Sequence, residues 1–168
     1  MINFRTANPA DANEINEVTR KAFKLYADEV GANINVKALH ETEQSVLDDI
    51  AAHKVFVAED ESGKILGSVR IKSLSGELAY LYRFGVKPSV RNGGVGSGLL
   101  QSAIDYCAER GFTAIALHTN AKYYNLARYY YGKRFYVHST STEKGYIRAL
   151  FVKELQSKNF DISPAYKE

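Results

Sequence analysis

Between Arg91 and Gly98 the chain reads RNGGVGSG. Four glycines fall within six residues, two positions after an arginine and directly before an apolar helical run that begins at Leu99. Glycine gives up side-chain packing and costs backbone entropy, so such a cluster belongs where something must approach the main chain. A strand, a glycine turn and a helix start make a receptor for anions. The first helical N–H groups have no intrahelical acceptor, and the helix dipole favours negative charge. Arg91 can add a charge-assisted bond to the same anion. The chemistry in view is phosphate recognition.

A second group lies in AKYYNLARYYYGKRF, Ala121 to Phe135, where five tyrosines alternate with Lys122, Arg128, Lys133 and Arg134. Tyr123, Leu126 and Tyr130 share one helical face. Amphipathic packing is one reading of these rings. A surface that stacks nucleic-acid bases is another, but the net charge of +3 is small and no RNA- or DNA-binding motif is present. The single cysteine, Cys107, sits on an apolar stripe with Leu100 and Ala103. It reads as core rather than nucleophile, and it rules out an internal disulfide. No cluster of histidine and cysteine has metal-ligand spacing, so no metal is expected.

With 168 residues, 45% of them hydrophobic and only three prolines, the chain suits one domain with a real core. The polar, acidic start MINFRTANPADANEINE is no signal peptide, and no apolar run approaches membrane-span length. A cytoplasmic protein is expected, with no nucleic-acid or membrane partner.

Hydrophobic periodicity places the elements. A short strand at Ile2–Ala7 precedes a helix from Asp11 to Ala27 with Ile15, Val18, Ala22, Phe23 and Tyr26 on one face. Positions 31–35 read as a loop, and a second helix spans about Glu41 to Ala52. The period then becomes two, giving strands at Lys54–Asp60, Lys64–Leu74 and Glu77–Val86, the last stopped by Pro88. After the glycine loop come a helix ended by Gly111, a buried strand at Thr113–Thr119, the tyrosine helix (Ala121 to Tyr131) and two closing strands. The tail from Gln156 to Glu168 is expected to be partly loose. The order β-α-α-β-β-β-α-β-α-β-β specifies an α/β (α+β) fold, a mixed and mostly antiparallel sheet flanked by helices. The glycine loop sits at its one parallel crossover.

Two familiar phosphate loops fail here. A Walker loop needs lysine where Leu99 stands, and a dinucleotide fingerprint starting at Gly94 and Gly96 needs glycine at that same leucine. Arg91-Asn92-Gly93-Gly94-Val95-Gly96, with Val86-Lys87-Pro88 ahead of it, resembles the pyrophosphate motif R/Q-x-x-G-x-G/A of the GNAT-type N-acetyltransferase superfamily. Element order extends the resemblance to nearly the whole chain.

The resemblance implies acetyl-CoA as acyl donor and a primary amine as acceptor, on a small molecule or a peptide. Arg91 to Ser97 would hold the pyrophosphate. Phe84, Gly85 and Val86 would pair with the pantetheine arm from a strand that bulges and splays from its parallel neighbour, and the Val86 N–H would face the oxyanion. Tyr130 would protonate the departing thiolate, with Tyr129 or Tyr131 the donor if the alignment shifts by one. Asn120 or Asn125 would bond the pantetheine. Arg134 stands where relatives usually have glycine. Tyr80 replaces a carboxylate that some relatives carry, which leaves Glu77, Tyr82 and His118 as candidate bases and none assigned. Asp28, Glu29, Glu41 and Glu43 could draw a cationic amine to the first two helices. A coenzyme-binding sensor without turnover is the rival reading, and the closing strands could pair across a two-fold axis as a homodimer.

Overall fold

The computed structural model describes residues 1–31 and 36–168. The chain forms β1 (Asn3–Thr6), α1 (Ala12–Val30), α2 (Glu43–Ala52), β2 (Lys54–Glu59), β3 (Ile65–Ser73), β4 (Leu78–Val86) and α3 (Val95–Glu109). It continues with β5 (Ala114–Asn120), α4 (Tyr124–Gly132), β6 (Tyr136–Ser141) and β7 (Arg148–Glu154). The strands make one seven-stranded sheet in the order β1-β2-β3-β4-β5-β7-β6. Its parallel pair is β4 with β5, joined through α3 as a parallel connection requires. This is the mixed sheet expected, element for element. Of the expected loop at 31–35, all but Gly31 lies outside the described residues.

Contacts divide the chain into two compact units, Met1–Lys72 with Tyr82–Asp105, and Ser73–Leu81 with Tyr106–Glu168. In the first, the Asn8 side chain accepts from Ala10 N–H and Asp11 accepts from Asn8 N–H, closing a capping box around Pro9. That box launches α1, whose Ala12, Ile15 and Val18 join Val46 of α2 and Val55, Val57 and Ile65 in one core cluster. Thr42 and Ser45 cap α2 in the same reciprocal way. Further along α1, Ala22 lies under β4, where a Cβ on Gly85 would come within 2.9 Å of the alanine methyl.

In the second unit β5 is buried along most of its length and pairs with β7 from Ala114↔Glu154 to Asn120↔Arg148. The β4–β5 ladder covers only Leu78↔Ala114 to Tyr80↔Ala116. The tyrosine helix begins later than the sequence suggests. Asn120 Oδ1 accepts from Lys122 N–H and its carbonyl from Tyr123 N–H, so a turn occupies the residues before Tyr124. The C-terminal tail, expected to be partly loose, is held down. Ala165 is fully buried, Asp161 N–H reaches Glu77, and Arg148 donates to the Glu168 main-chain oxygen at 3.0 Å.

Candidate active site

Beyond β4, a short 3-10 turn at Pro88–Val90 carries the chain to Arg91. Two left-handed residues follow, Asn92 at φ +67° and Gly94 at φ +87°, and α3 starts at once with Val95. Asparagine and glycine are the residues that tolerate this backbone. The turn brings the first-turn amides of α3, which have no acceptor inside the helix, out beside the loop.

Three of the four glycines differ in role. Gly94 supplies the left-handed step. A Cβ on Gly93 would stand 3.3 Å from the Val90 carbonyl, whereas one on Gly98 would overlap the Phe4 ring. Gly98 therefore lets α3 lie close on β1 and is a packing residue, not a ligand residue. The Arg91 guanidinium donates to Glu29 at 2.9 Å, which ties the loop to the end of α1.

Within β4 the extended backbone breaks at Arg83, with φ +49°. A glycine inside a strand, as Gly85 is here, marks a bulge or a close approach. The left-handed residue is two positions earlier, and Gly85 serves the close approach, to Ala22. After Phe84, Gly85 and Val86, the Lys87 N–H is held by the Leu66 carbonyl at 2.7 Å.

The second unit holds the other candidates. Tyr130 is buried, with its ring 5.5 Å from Phe135 and 5.6 Å from Phe151 between centroids. Tyr129 is half-buried, while Tyr131 is 55% exposed. Asn120 is buried and shapes the turn before α4; Asn125 is exposed on α4.

Helix α4 ends in a Schellman motif. Arg134 N–H bonds the Tyr131 carbonyl and Phe135 N–H the Tyr130 carbonyl, with Arg134 itself at φ +69°. The arginine thus occupies a backbone position suited to glycine.

Of the candidate bases, Glu77 anchors the tail and Tyr82 donates to Asp49 at 2.9 Å. His118 Nδ1 lies 2.6 Å from the Tyr80 hydroxyl. Burial, reinforced by the positive charges of Arg148 and Lys144, pushes the imidazole down to about 4, and burial pushes the Tyr80 hydroxyl up. The pair is neutral at physiological pH. Cys107 is fully buried and burial raises its thiol to about 12, which fits core rather than nucleophile.

A sequence model of the acetyltransferase (GNAT) family matches residues 20–135, well over half of the chain. The chain belongs to the GNAT acetyltransferase family. Solved structures share the fold. The PaiA N-acetyltransferase of Thermoplasma acidophilum, crystallised with coenzyme A, has a TM-score of 0.78 at 18% identity, covering 92% of this chain and 99% of that one. YncA of Salmonella typhimurium, solved with acetyl-CoA, gives 0.76 at 16% identity over 96% and 98%. The ribosomal-protein-S18-alanine N-acetyltransferase of Escherichia coli gives 0.74 at 14% identity over 96% and 99%. No curated protein matches in sequence.

This GNAT chain also carries groups that the sequence reading missed. Arg70, fully buried on β3, bonds Glu41 at 2.8 Å and Asp49 at 2.9 Å, and Arg83 lies 3.5 Å from Glu41. Tyr82 joins through Asp49. The network fastens α2 and the residue before its cap to β3 and to the left-handed step of β4. A signal existed: an arginine inside the largely apolar strand Ile65–Ile71 must have buried partners. Arg148, also buried, has an Nε without an acceptor among the described residues.

Among the described residues, no helix is long and apolar enough to cross a membrane.

Proposed function

We propose that this GNAT chain is an N-acetyltransferase that moves the acetyl group of acetyl-CoA directly to a primary amine of a small molecule, peptide or protein. The observation that carries the reading is the left-handed Asn92–Gly94 turn, which delivers the opening amides of α3 beside Arg91. Such a cradle suits a diphosphate. Arg91, Asn92, Gly93, Gly94, Val95, Gly96 and Ser97 hold it in this reading, and the main chain of Phe84 to Val86 pairs with the pantetheine, assisted by Asn120 or Asn125.

The nitrogen lone pair of the neutral amine attacks the thioester carbonyl carbon, and the Val86 N–H stabilises the oxyanion. One such donor contributes about 3–4 kcal/mol. The carbon–sulfur bond then breaks, the thiolate takes the Tyr130 proton, and the new amide's nitrogen loses a proton to water, from which Tyr130 is reprotonated. The two units act as one N-acetyltransferase domain. Its lone, buried cysteine suits the reducing cytoplasm.

Calorimetric titration with acetyl-CoA, followed by thiol release against a panel of amines, tests the reading. Uptake with turnover is expected. Absence of uptake at millimolar coenzyme overturns it, and uptake without turnover on any amine makes the chain a coenzyme sensor.

A further inference from the structure

The acids of α1 and its neighbours were the expected lure for a cationic amine. Most of them are already engaged. Glu29 holds Arg91, Glu41 holds Arg70 and Arg83, and Asp28 faces Lys24 at 3.8 Å. The cations are less well matched. A hollow of about 420 Å³ in the first unit is lined by Lys21, Lys24, Leu25 and Asp28 of α1 and by Lys87, Pro88 and Ser89 after β4. The α1 residues recur at three- and four-residue steps, so they share one face. Lys87 is fixed opposite by its main-chain bond to Leu66.

Three lysines thus line one hollow with a single carboxylate among them, and neither Lys21 nor Lys87 has an acid partner among the described residues. Like charges gathered around a concave surface repel one another and raise the local concentration of anions. The hollow is an open depression, and one of its lining residues, Ser89, lies two positions before Arg91 in the chain.

We infer that Lys21, Lys24 and Lys87 form a receptor for an oxyanion, a phosphate or carboxylate, carried by one of the two substrates at a distance from its reacting atoms. The inference rests on the proposed acetyl transfer for its purpose but not for its geometry. If the acceptor carries the anion, the substrates are amines with an acidic group, such as amino acids or acidic peptides, and not polyamines. If the donor carries it, the ribose phosphate of the coenzyme fills the hollow.

A titration of nitrogen-labelled protein with inorganic phosphate, followed by NMR, tests the receptor without any coenzyme. Shifts at the amides of Lys21, Lys24, Lys87 and Ser89, lost in Lys21→Gln/Lys87→Gln, are expected. Shifts confined to residues 92–97, or none, overturn the receptor whether or not acetyl-CoA binds. Turnover then identifies the source. An acceptor anion appears as an acidic-over-neutral amine preference in kcat/KM that falls about tenfold in the double variant. A donor anion appears as a similar fall in the preference for acetyl-CoA over its dephospho form. Phosphate shifts accompanied by neither change overturn the assignment to a substrate. Failure of acetyl-CoA uptake alone counts against the proposed function, not against the receptor.

Discussion

The Tyr80 hydroxyl and His118 Nδ1 stand 2.6 Å apart across the parallel strand pair, so each satisfies a polar atom that the other would leave buried. Tyr80 forms the last pair of the β4–β5 ladder, with Ala116, and His118 lies two residues further along β5. The position where some relatives carry a carboxylate is therefore filled by an uncharged pair.

That pairing predicts how stability depends on pH. The His118 imidazole titrates near 4 when folded, against 6.5 ordinarily. Between those values the unfolded chain takes up a proton that the folded chain refuses. Stability from this group is complete above about pH 6.5 and declines as the pH falls towards 4. Urea midpoints measured from pH 4 to 7 should show the slope, and His118→Gln should flatten it. A ring resonance assigned to His118, by its loss in His118→Gln, that titrates near 6.5 would contradict the assignment.

Tyr130→Phe tests the proton donor. Acetyl-CoA affinity by calorimetry should stay close to that of the parent, while kcat falls about 100-fold, the low end for a lost general acid. Equal turnover would remove Tyr130 from the chemistry and leave it as a member of the aromatic cluster with Phe135 and Phe151.

Gly94 and Gly98 should fail in different ways. Gly98→Ala drives a methyl into the Phe4 ring and should cost about 1–3 kcal/mol of stability, partly restored by Phe4→Leu. Gly94→Ala strains a left-handed residue by about 1–2 kcal/mol without meeting any neighbour, and it should also weaken acetyl-CoA uptake. Urea denaturation and calorimetry on both variants separate packing from binding.

Arg134→Gly should stabilise the protein by about 1 kcal/mol, because the Schellman position it occupies at φ +69° costs a side chain that much. A rise in thermal midpoint is the expected result.

Arg70→Met should be severe. It leaves the Glu41 carboxylate, whose side chain is only 5% exposed, with Arg83 alone at 3.5 Å, and breaking such a buried pair costs about 3–5 kcal/mol. Pairing it with Glu41→Gln should recover part of the loss in urea denaturation.

The fold was legible because periodicity changes sharply along the chain. Ile15 and Val18 recur at helical steps, whereas Val55 and Val57 alternate. The glycine loop was legible for the same reason, since no packing element tolerates so many glycines without cause. What escaped were relationships between distant positions. Nothing near Gly98 announces Phe4, and the partners of Arg70 are 29 and 21 residues away. The left-handed step at Arg83 also escaped, because the visible cue, Gly85, answers to Ala22 instead. Local chemistry reports what a residue can do, and only the fold decides which neighbour claims it.

Cys107 has a use outside catalysis. With its sulfur sealed in α3 and its thiol raised to about 12, an alkylating dye must wait for the helix to open before it can react. Labelling kinetics of that one atom, in the unaltered sequence, would therefore clock the opening equilibrium of α3, and slowing by saturating coenzyme would report how firmly an occupied loop clamps the helix shut.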